Sequence, residues 1–280
     1  MEDRPVALLT GCSTGIGLET ALLLAREGWR VFATMRDLKK AETLREAAQG
    51  LPIELLSMDV DKPVSVKKAV STVAHLAGRV DVLINNAGWG AFGALDEFTD
   101  KEILAQYETN VFGLMRVTRE VLPFMRRQGS GRIIHIGSLA GKMTFAGIGL
   151  YCSTKHAVEA LTEGLRVETR PFGVQVAVVE PGSINTPFKA NRRKAALFLK
   201  KRSAHQRVLE NILYFGNHPS RFTPKAPRVA RTILKALKAD HMATRYPVGL
   251  DSVWFPVARW FMPDFVYDRL LEAMYRRFGA

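Results

Sequence analysis

The stretch Val6-Ala7-Leu8-Leu9-Thr10-Gly11-Cys12-Ser13-Thr14-Gly15-Ile16-Gly17-Leu18 decides the fold. Its first four residues are a short apolar run, the pattern of a strand buried on both faces of a parallel sheet. Three glycines follow at once. Residues 18–27 then read as an amphipathic helix with Ala21, Leu22, Leu24 and Ala25 on its apolar side, closed by Gly28. Strand, glycine turn and helix in that order suit phosphate binding. The glycines let the backbone turn tightly and approach a pyrophosphate, and the helix N-terminus offers free N–H groups and a partial positive charge. The spacing is G-x-x-x-G-x-G rather than G-x-G-x-x-G, and a tight strand-to-helix turn without a ligand is the alternative.

Further apolar runs at residues 31–34, 53–58, 80–84, 132–137 and 174–179 read as strands, and 246–248 as a last short one. Between them, residues 63–76, 102–125 and 151–169 carry helical periodicity, with Pro63 suited to a first turn. Five such alternations before residue 175 predict an α/β fold, a doubly wound parallel sheet with helices on both faces. One domain accommodates all 280 residues, with 1–187 as the core and 188–280 as a helical covering region.

Residues 1–188 hold 21 Lys/Arg and 21 Asp/Glu, whereas residues 189–280 hold 19 and 6, so the whole net charge of +13 sits in the last third. A solvated surface explains part of that excess, and attraction to an acidic partner or an anionic membrane explains the rest. No nucleic-acid-binding motif accompanies it. There is no run of eighteen apolar residues and no signal-peptide pattern, and only two cysteines, Cys12 and Cys152, so a reducing, cytoplasmic setting is expected. Trp254, Phe255, Trp260, Phe261, Phe265, Tyr267, Tyr275 and Phe278 crowd residues 252–279. Packing against the sheet is expected for about half of them. The others suit a pocket, a subunit interface or peripheral contact with a membrane surface.

Tyr151 and Lys155 are four residues apart, which places them on one helix face. A neighbouring ammonium favours the ionised form of a phenol, so the pair reads as a proton donor and acceptor. An ordinary surface pair has the same spacing. Ser138, at the end of the strand over 132–137, is positioned to meet them. Asn110 sits mid-helix, where asparagine is a poor helix former, and Asn85-Asn86-Ala87-Gly88 follows a strand at the edge where ligands gather in such sheets. At the end of the second strand stands Arg36, suited to a 2′-phosphate, with Asp37 beside it as a candidate helix cap.

Taken together, Thr10 to Gly17, Asn85 to Gly88, Asn110, Ser138, Tyr151-x-x-x-Lys155 and Pro181-Gly182 with Thr186 resemble the short-chain dehydrogenase/reductase family over residues 5 to about 188. The turn at 11–15, Ala33-Thr34-Met35-Arg36-Asp37 and Thr109-Asn110-Val111-Phe112-Gly113 look most like its 17β-hydroxysteroid and retinol dehydrogenase branch.

The resemblance implies a Rossmann-type sheet and an enzyme with a nicotinamide cofactor, NADP(H) preferred over NAD(H), and no metal. It implies catalytic roles for Asn110, Ser138, Tyr151 and Lys155. Tyr151 would exchange a proton with the substrate oxygen, and Lys155 would lower the phenol pKa and hold the ribose. Ser138 would hydrogen-bond the substrate, and Asn110 would hold a water. It implies cofactor contacts at Gly11, Ser13, Gly15, Ile16, Gly17, Arg36, Asp59, Val60, Asn86, Gly88, Pro181, Gly182, Ile184 and Thr186, besides Tyr151 and Lys155.

Leu139, Met143, Phe145, Ser183 and Phe188, with Trp89 and Phe92, are expected around a lipophilic ketone, aldehyde or alcohol, under a lid over residues 188–225. A 3-oxoacyl reductase acting on a carrier-bound chain, or a nucleotide-sensing protein without turnover, are the alternatives. A homodimer or homotetramer is the implied assembly. Asn85 reads as a strand-end side chain holding nearby backbone. Cys152 reads as packing, and His135 and His156 as locally satisfied residues rather than catalysts.

Overall fold

The computed structural model describes residues 4–189, 191–217 and 223–279. Ala190 and residues 218–222 of the expected lid, and the side chains of Tyr275 and Phe278, lie outside the described part. Seven strands, β1 (Val6–Leu9), β2 (Arg30–Met35), β3 (Ile53–Ser57), β4 (Val82–Asn85), β5 (Gly131–Ile136), β6 (Val174–Pro181) and β7 (Arg245–Val248), form one sheet. Its order is β3-β2-β1-β4-β5-β6-β7 and every pairing is parallel. The order reverses between β1 and β4, so the C-terminal ends of these two strands diverge into a crevice.

The apolar runs are continuous because both faces are covered. Helix α1 (Gly15–Arg26) lies on one face. Across the other lie α2 (Pro63–Ala77), α3 (Asp100–Tyr107), α4 (Leu114–Gln128) and α5 (Gly149–Thr169). Leu24 and Ala21 of α1 join Val229 and Ile233 in one core, while Val66 and Val73 of α2 join Val117 and Met125 of α4 in the other. Val229 and Ile233 belong to a later helix, which follows α6 (Gln206–Asn217) and is α7 (Ala226–Lys238).

Periodicity reads residues 102–125 as one helix, but the structure breaks it. Thr99 and Glu102 form a reciprocal cap at the start of α3, and a π-helical turn over Glu108–Gly113 separates α3 from α4. The cause is tertiary. A side chain on Gly113 would meet the Val60 methyl at 2.9 Å, and Asn110 is turned inward to the loop after β4. π-Turns inside helices concentrate at functional sites.

Beyond β6 the chain is stitched back to the core. Residues Ala91–Phe92 pair in parallel with Arg193–Lys194, and Phe92, Ala195, Phe198 and Leu209 form a small satellite core. Helices α8 (Leu250–Phe261) and α9 (Asp264–Gly279) close the chain.

Among the described C-terminal aromatics, the expected packing of about half does not occur. Trp254, Phe255, Trp260, Phe261 and Phe265 are all more than half exposed, at 51% to 81%, and Ser252 is the buried residue of α8. The apolar residues of α8 run round the helix, and only its first turn reaches the sheet, where Ser252 Oγ donates to Glu180 O at 2.6 Å. Among the described residues, no helix is long and apolar enough to cross a membrane.

Candidate active site

Ser138 leaves β5 with an extended backbone, and its Oγ accepts from Ala140 N at 3.1 Å, starting a single turn over Leu139–Gly141. α5 begins at Gly149, so Tyr151 lies in its first turn and Lys155 one turn later. Both are buried, and the Lys155 Nζ sits 5.8 Å from the Tyr151 ring centre. The Ser138 hydroxyl stands near enough to the phenol to act on it while donating to Pro181 O at 3.4 Å, and Phe188 covers the ring at 5.5 Å between centroids.

Their electrostatics differ from the simple expectation. Burial pushes the Tyr151 phenol above its ordinary value, against the lowering contributions of Ser138 and Arg192. Lys155 does not depress it, because its ammonium is drawn to the β5 backbone and donates to Ile136 O at 2.6 Å. Burial also pushes the Lys155 ammonium down to about 8, while Glu159 works to raise it.

Glu159 is the next rung of the same helix ladder, one turn beyond Lys155. It meets the fully buried Glu180 of β6. Lys142 Nζ stands 2.9 Å from Glu180 Oε2, and Arg245 Nε stands 3.2 Å from Glu180 Oε1 and 3.3 Å from Glu159 Oε2. The Glu180 contacts are ionic rather than aligned hydrogen bonds. Burial, then Glu180, push the Glu159 carboxyl up to about 7, against Arg245 and Lys142.

Asn110 is buried and fully engaged. Its Oδ1 accepts from Trp89 N at 3.1 Å, and its Nδ2 donates to Trp89 O at 3.0 Å and Thr154 Oγ1 at 3.1 Å. It therefore clamps the loop after β4 onto α5. Asn85 acts on a side chain rather than on backbone, donating to Thr118 Oγ1 at 2.8 Å. His135 meets Thr162 at 2.9 Å and burial holds its imidazole neutral, down to about 3; His156 meets Cys152 O at 2.9 Å. Cys152 packs with Ala140 and Tyr151.

A cavity of about 780 Å³ runs from the glycine turn to this group. Gly11, Ser13, Gly15 and Ile16 line one end, with Arg36, Asp59 and Val60. Asn86 and Gly88 line its middle, and Ser138, Tyr151 and Lys155 the other end, with Pro181, Gly182, Ile184 and Thr186. A dinucleotide fits this shape. Gly11 and Gly15 have φ of +71° and +62°, Thr14 makes no side-chain cap, and the first N–H groups of α1 remain available to a diphosphate.

Gly17 does not line the cavity. It is buried beneath the turn, where a Cβ would stand 2.4 Å from Gly11 O. Gly182 is required for a different reason, since a Cβ there would meet Asp251 Oδ1 at 2.0 Å.

Of the expected substrate residues, Leu139, Phe145, Ser183, Phe188 and Trp89 line the cavity. Met143 does not. The turn at Leu139–Gly141 reverses the chain, and Met143 borders a separate hollow with Lys142 and Tyr267. Phe92 is fully buried against Phe198 instead.

Sequence reasoning missed Lys40, Lys189, Arg192, Arg193, Asp251 and Phe255, all of which line the cavity. Lys40 carried a legible signal, since it stands one short helical turn beyond Asp37, whose Oδ1 caps Lys39 N at 3.0 Å. The others depend on chain reversals after β6.

Residues 5–197 match the family described as short chain dehydrogenase. This chain belongs to the short-chain dehydrogenase/reductase family. It is 34% identical to human 17-beta-hydroxysteroid dehydrogenase type 1 over 284 residues, 98% of this chain and 85% of that protein. It is 33% identical to the 3-ketodihydrosphingosine reductase of Bacteroides thetaiotaomicron over 277 residues, 96% and 97% of the two chains. A short-chain dehydrogenase from Streptomyces avermitilis superposes with a TM-score of 0.80 at 32% identity, covering 97% of this chain and 96% of that one. The protein is thus a dehydrogenase/reductase of the NAD(P)-binding type acting between carbonyl and alcohol.

The charge of Glu159 acting on Lys155 sets a pH dependence. The Lys155 ammonium loses its proton near pH 8, and Glu159, ionised above about pH 7, is the group that sustains it. The high-pH limb of kcat/KM for carbonyl reduction is therefore expected near pH 8 and shifts to lower pH in Glu159→Gln. A limb that is unmoved, or moves up, in a pH–rate series contradicts this coupling.

Proposed function

We propose that this enzyme uses NADP(H) to interconvert a lipophilic ketone or aldehyde and its alcohol. The observation that carries this reading is the surroundings of the Tyr151 hydroxyl: Ser138 beside it, and Leu139, Phe145, Phe188 and Phe255 forming the nearby cavity wall. Such a wall favours apolar substrates. The two named relatives, one for a hydroxysteroid and one for a ketodihydrosphingosine, support the same class.

In reduction the Tyr151 phenol, kept protonated by burial, gives its proton to the carbonyl oxygen; in oxidation it takes it back. Ser138 donates a hydrogen bond to the same oxygen as negative charge develops. Lys155, its ammonium held by Ile136 O beneath the phenol, would hold the ribose hydroxyls of a bound nicotinamide nucleotide. Asn110 keeps the loop after β4 in register with α5, and in this reading its neighbourhood also orders a water for proton exchange. A bound nicotinamide supplies the hydride. Residues 191–217 act as the lid.

The NADP(H) preference rests on Arg36 and Lys40 together at the end of β2, with Asp37 occupied in capping. Two further features follow from exposed surfaces. Leu104, Phe112, Met115 and Val167 lie outward on α3 to α5 and suit self-association into a dimer or tetramer. Trp254, Trp260 and Phe265, beside the basic last third, suit peripheral contact with an anionic membrane from the cytoplasmic side.

In an NADPH-oxidation assay against a panel of ketones, Tyr151→Phe is expected to lose about 10²- to 10⁴-fold in kcat. Equal activity in the variant rejects the mechanism. Arg36→Gln with Lys40→Gln should reduce the NADPH-over-NADH preference by at least about 10-fold, and an unchanged ratio rejects the cofactor assignment. Sedimentation at the monomer mass, and failure to float with anionic vesicles at low salt, would remove the two surface assignments.

A further inference from the structure

The substrate end of the cavity is not wholly apolar. Residues 191–195 are tied over it by backbone hydrogen bonds. Arg193 N donates to Gly90 O at 3.0 Å and Ala195 N to Phe92 O at 2.9 Å. The Arg193 guanidinium lies over the Trp89 ring at 4.1 Å. Gly90 has no side chain at this crossing. A Cβ there would stand 3.2 Å from the Phe188 ring and 3.5 Å from Arg192 Cγ, so the stem of Arg192 rests directly on the glycine. Arg192 is thereby fixed among the residues that line the cavity, close enough to Tyr151 for its charge to act on the phenol.

Its charge is not balanced by protein. Among the described residues, no carboxylate makes an ion pair or hydrogen bond with Arg192. Its charged neighbours are the Tyr151 phenol and a second cation, Lys189. The nearby Asp251 is committed elsewhere, accepting from Ser183 N at 2.6 Å and Ser252 N at 3.0 Å and acting on Lys189. Two cations that repel one another in a half-enclosed cavity raise the cost of burying each, and an anion between them relieves it. A guanidinium also matches a carboxylate or phosphate with two parallel hydrogen bonds.

We propose that Arg192 anchors an anionic group of the substrate, a carboxylate or phosphate, so that the preferred substrate is an amphipathic carbonyl compound rather than a neutral one. The inference rests on the carbonyl-reducing reading above. It makes Arg192 a specificity-determining residue, with Phe188 and Leu139 taking the apolar part of the same molecule. The group belongs to the substrate rather than to the cofactor diphosphate, because Arg192 packs on Gly90 beside Phe188 and Tyr151. The glycine turn of residues 11–16 serves the other end of the cavity.

The test compares straight-chain ketones with keto acids of matched length, varying the distance from carboxylate to carbonyl. For the parent enzyme, kcat/KM is expected to favour at least one keto acid over its neutral partner. In Arg192→Gln that ratio should fall about 10- to 100-fold, the range that a charge-assisted hydrogen bond provides, and Arg192→Lys should recover part of it. Calorimetric binding of the keto acids to the NADP+-loaded protein is read alongside turnover. Turnover of keto acids that is lost in Arg192→Gln while no neutral lipophilic ketone turns over in the parent would sustain this proposal and reject the lipophilic-substrate reading. A selectivity ratio that is the same in the parent and Arg192→Gln overturns the proposal. So does a rise in the NADPH dissociation constant of Arg192→Gln with the ratio intact, since the anion would then be the cofactor's.

Discussion

A buried ammonium is the constraint on which the rest of this site depends. What remains of the cost of moving Lys155 out of water, with Glu159 already acting to raise its proton affinity, is a fall from the ordinary 10.5 to about 8, on the order of 3 kcal/mol. The fold offsets it in two ways. The last carbonyl of β5, Ile136 O, accepts from the ammonium at 2.6 Å, and the carboxyl of Glu159 lies one helical turn away. Both depend on α5 packing against the C-terminal ends of β5 and β6. The same packing delivers Ser138 to Tyr151, so the reacting hydroxyls and the charge that supports them are placed by one helix–sheet contact.

The C-terminal third contributes to this centre from below and from the side. Arg245 of β7 bridges Glu159, Glu163 and Glu180, tying the last strand of the sheet to the catalytic helix. Asp251 at the start of α8 accepts from Ser183 N and occupies the space left free by Gly182, which orients the chain leaving β6. The two buried carboxyls bring a cost of their own. Glu159 holds its proton up to about pH 7 because it is buried and, secondly, because Glu180 lies beside it. Charge at the site is thus set by a ladder of Tyr151, Lys155 and Glu159 along one helix face, with Arg245 closing its lower end.

Much of this was legible in the sequence. The strands other than the last each held an apolar run, and Gly11 and Ser138 stood just past strand ends where a ligand site forms. The features that escaped are those set by tertiary contact. Nothing in Thr109-Asn110-Val111 departs from helical periodicity, yet Val60 against Gly113 and Trp89 against Asn110 open a π-turn there. Met143 and Phe92 had the right chemistry for a substrate pocket, but a chain reversal and a satellite core took them away from it. Arg192 was one basic residue among many in the last third, and only the short ladder of Arg193–Lys194 with Ala91–Phe92 singles it out. The lowered phenol expected from the Tyr151/Lys155 spacing was not realised, because spacing places the two on one face without deciding which acceptor the ammonium chooses.

The account therefore turns on the state of one lysine. Selective nitrogen labelling and NMR titration of the Lys155 ammonium measures it directly. The structure predicts a midpoint near pH 8, whereas a midpoint near the ordinary 10.5 would mean that the ammonium is not held in the buried, β5-bonded position that the rest of the site is built around.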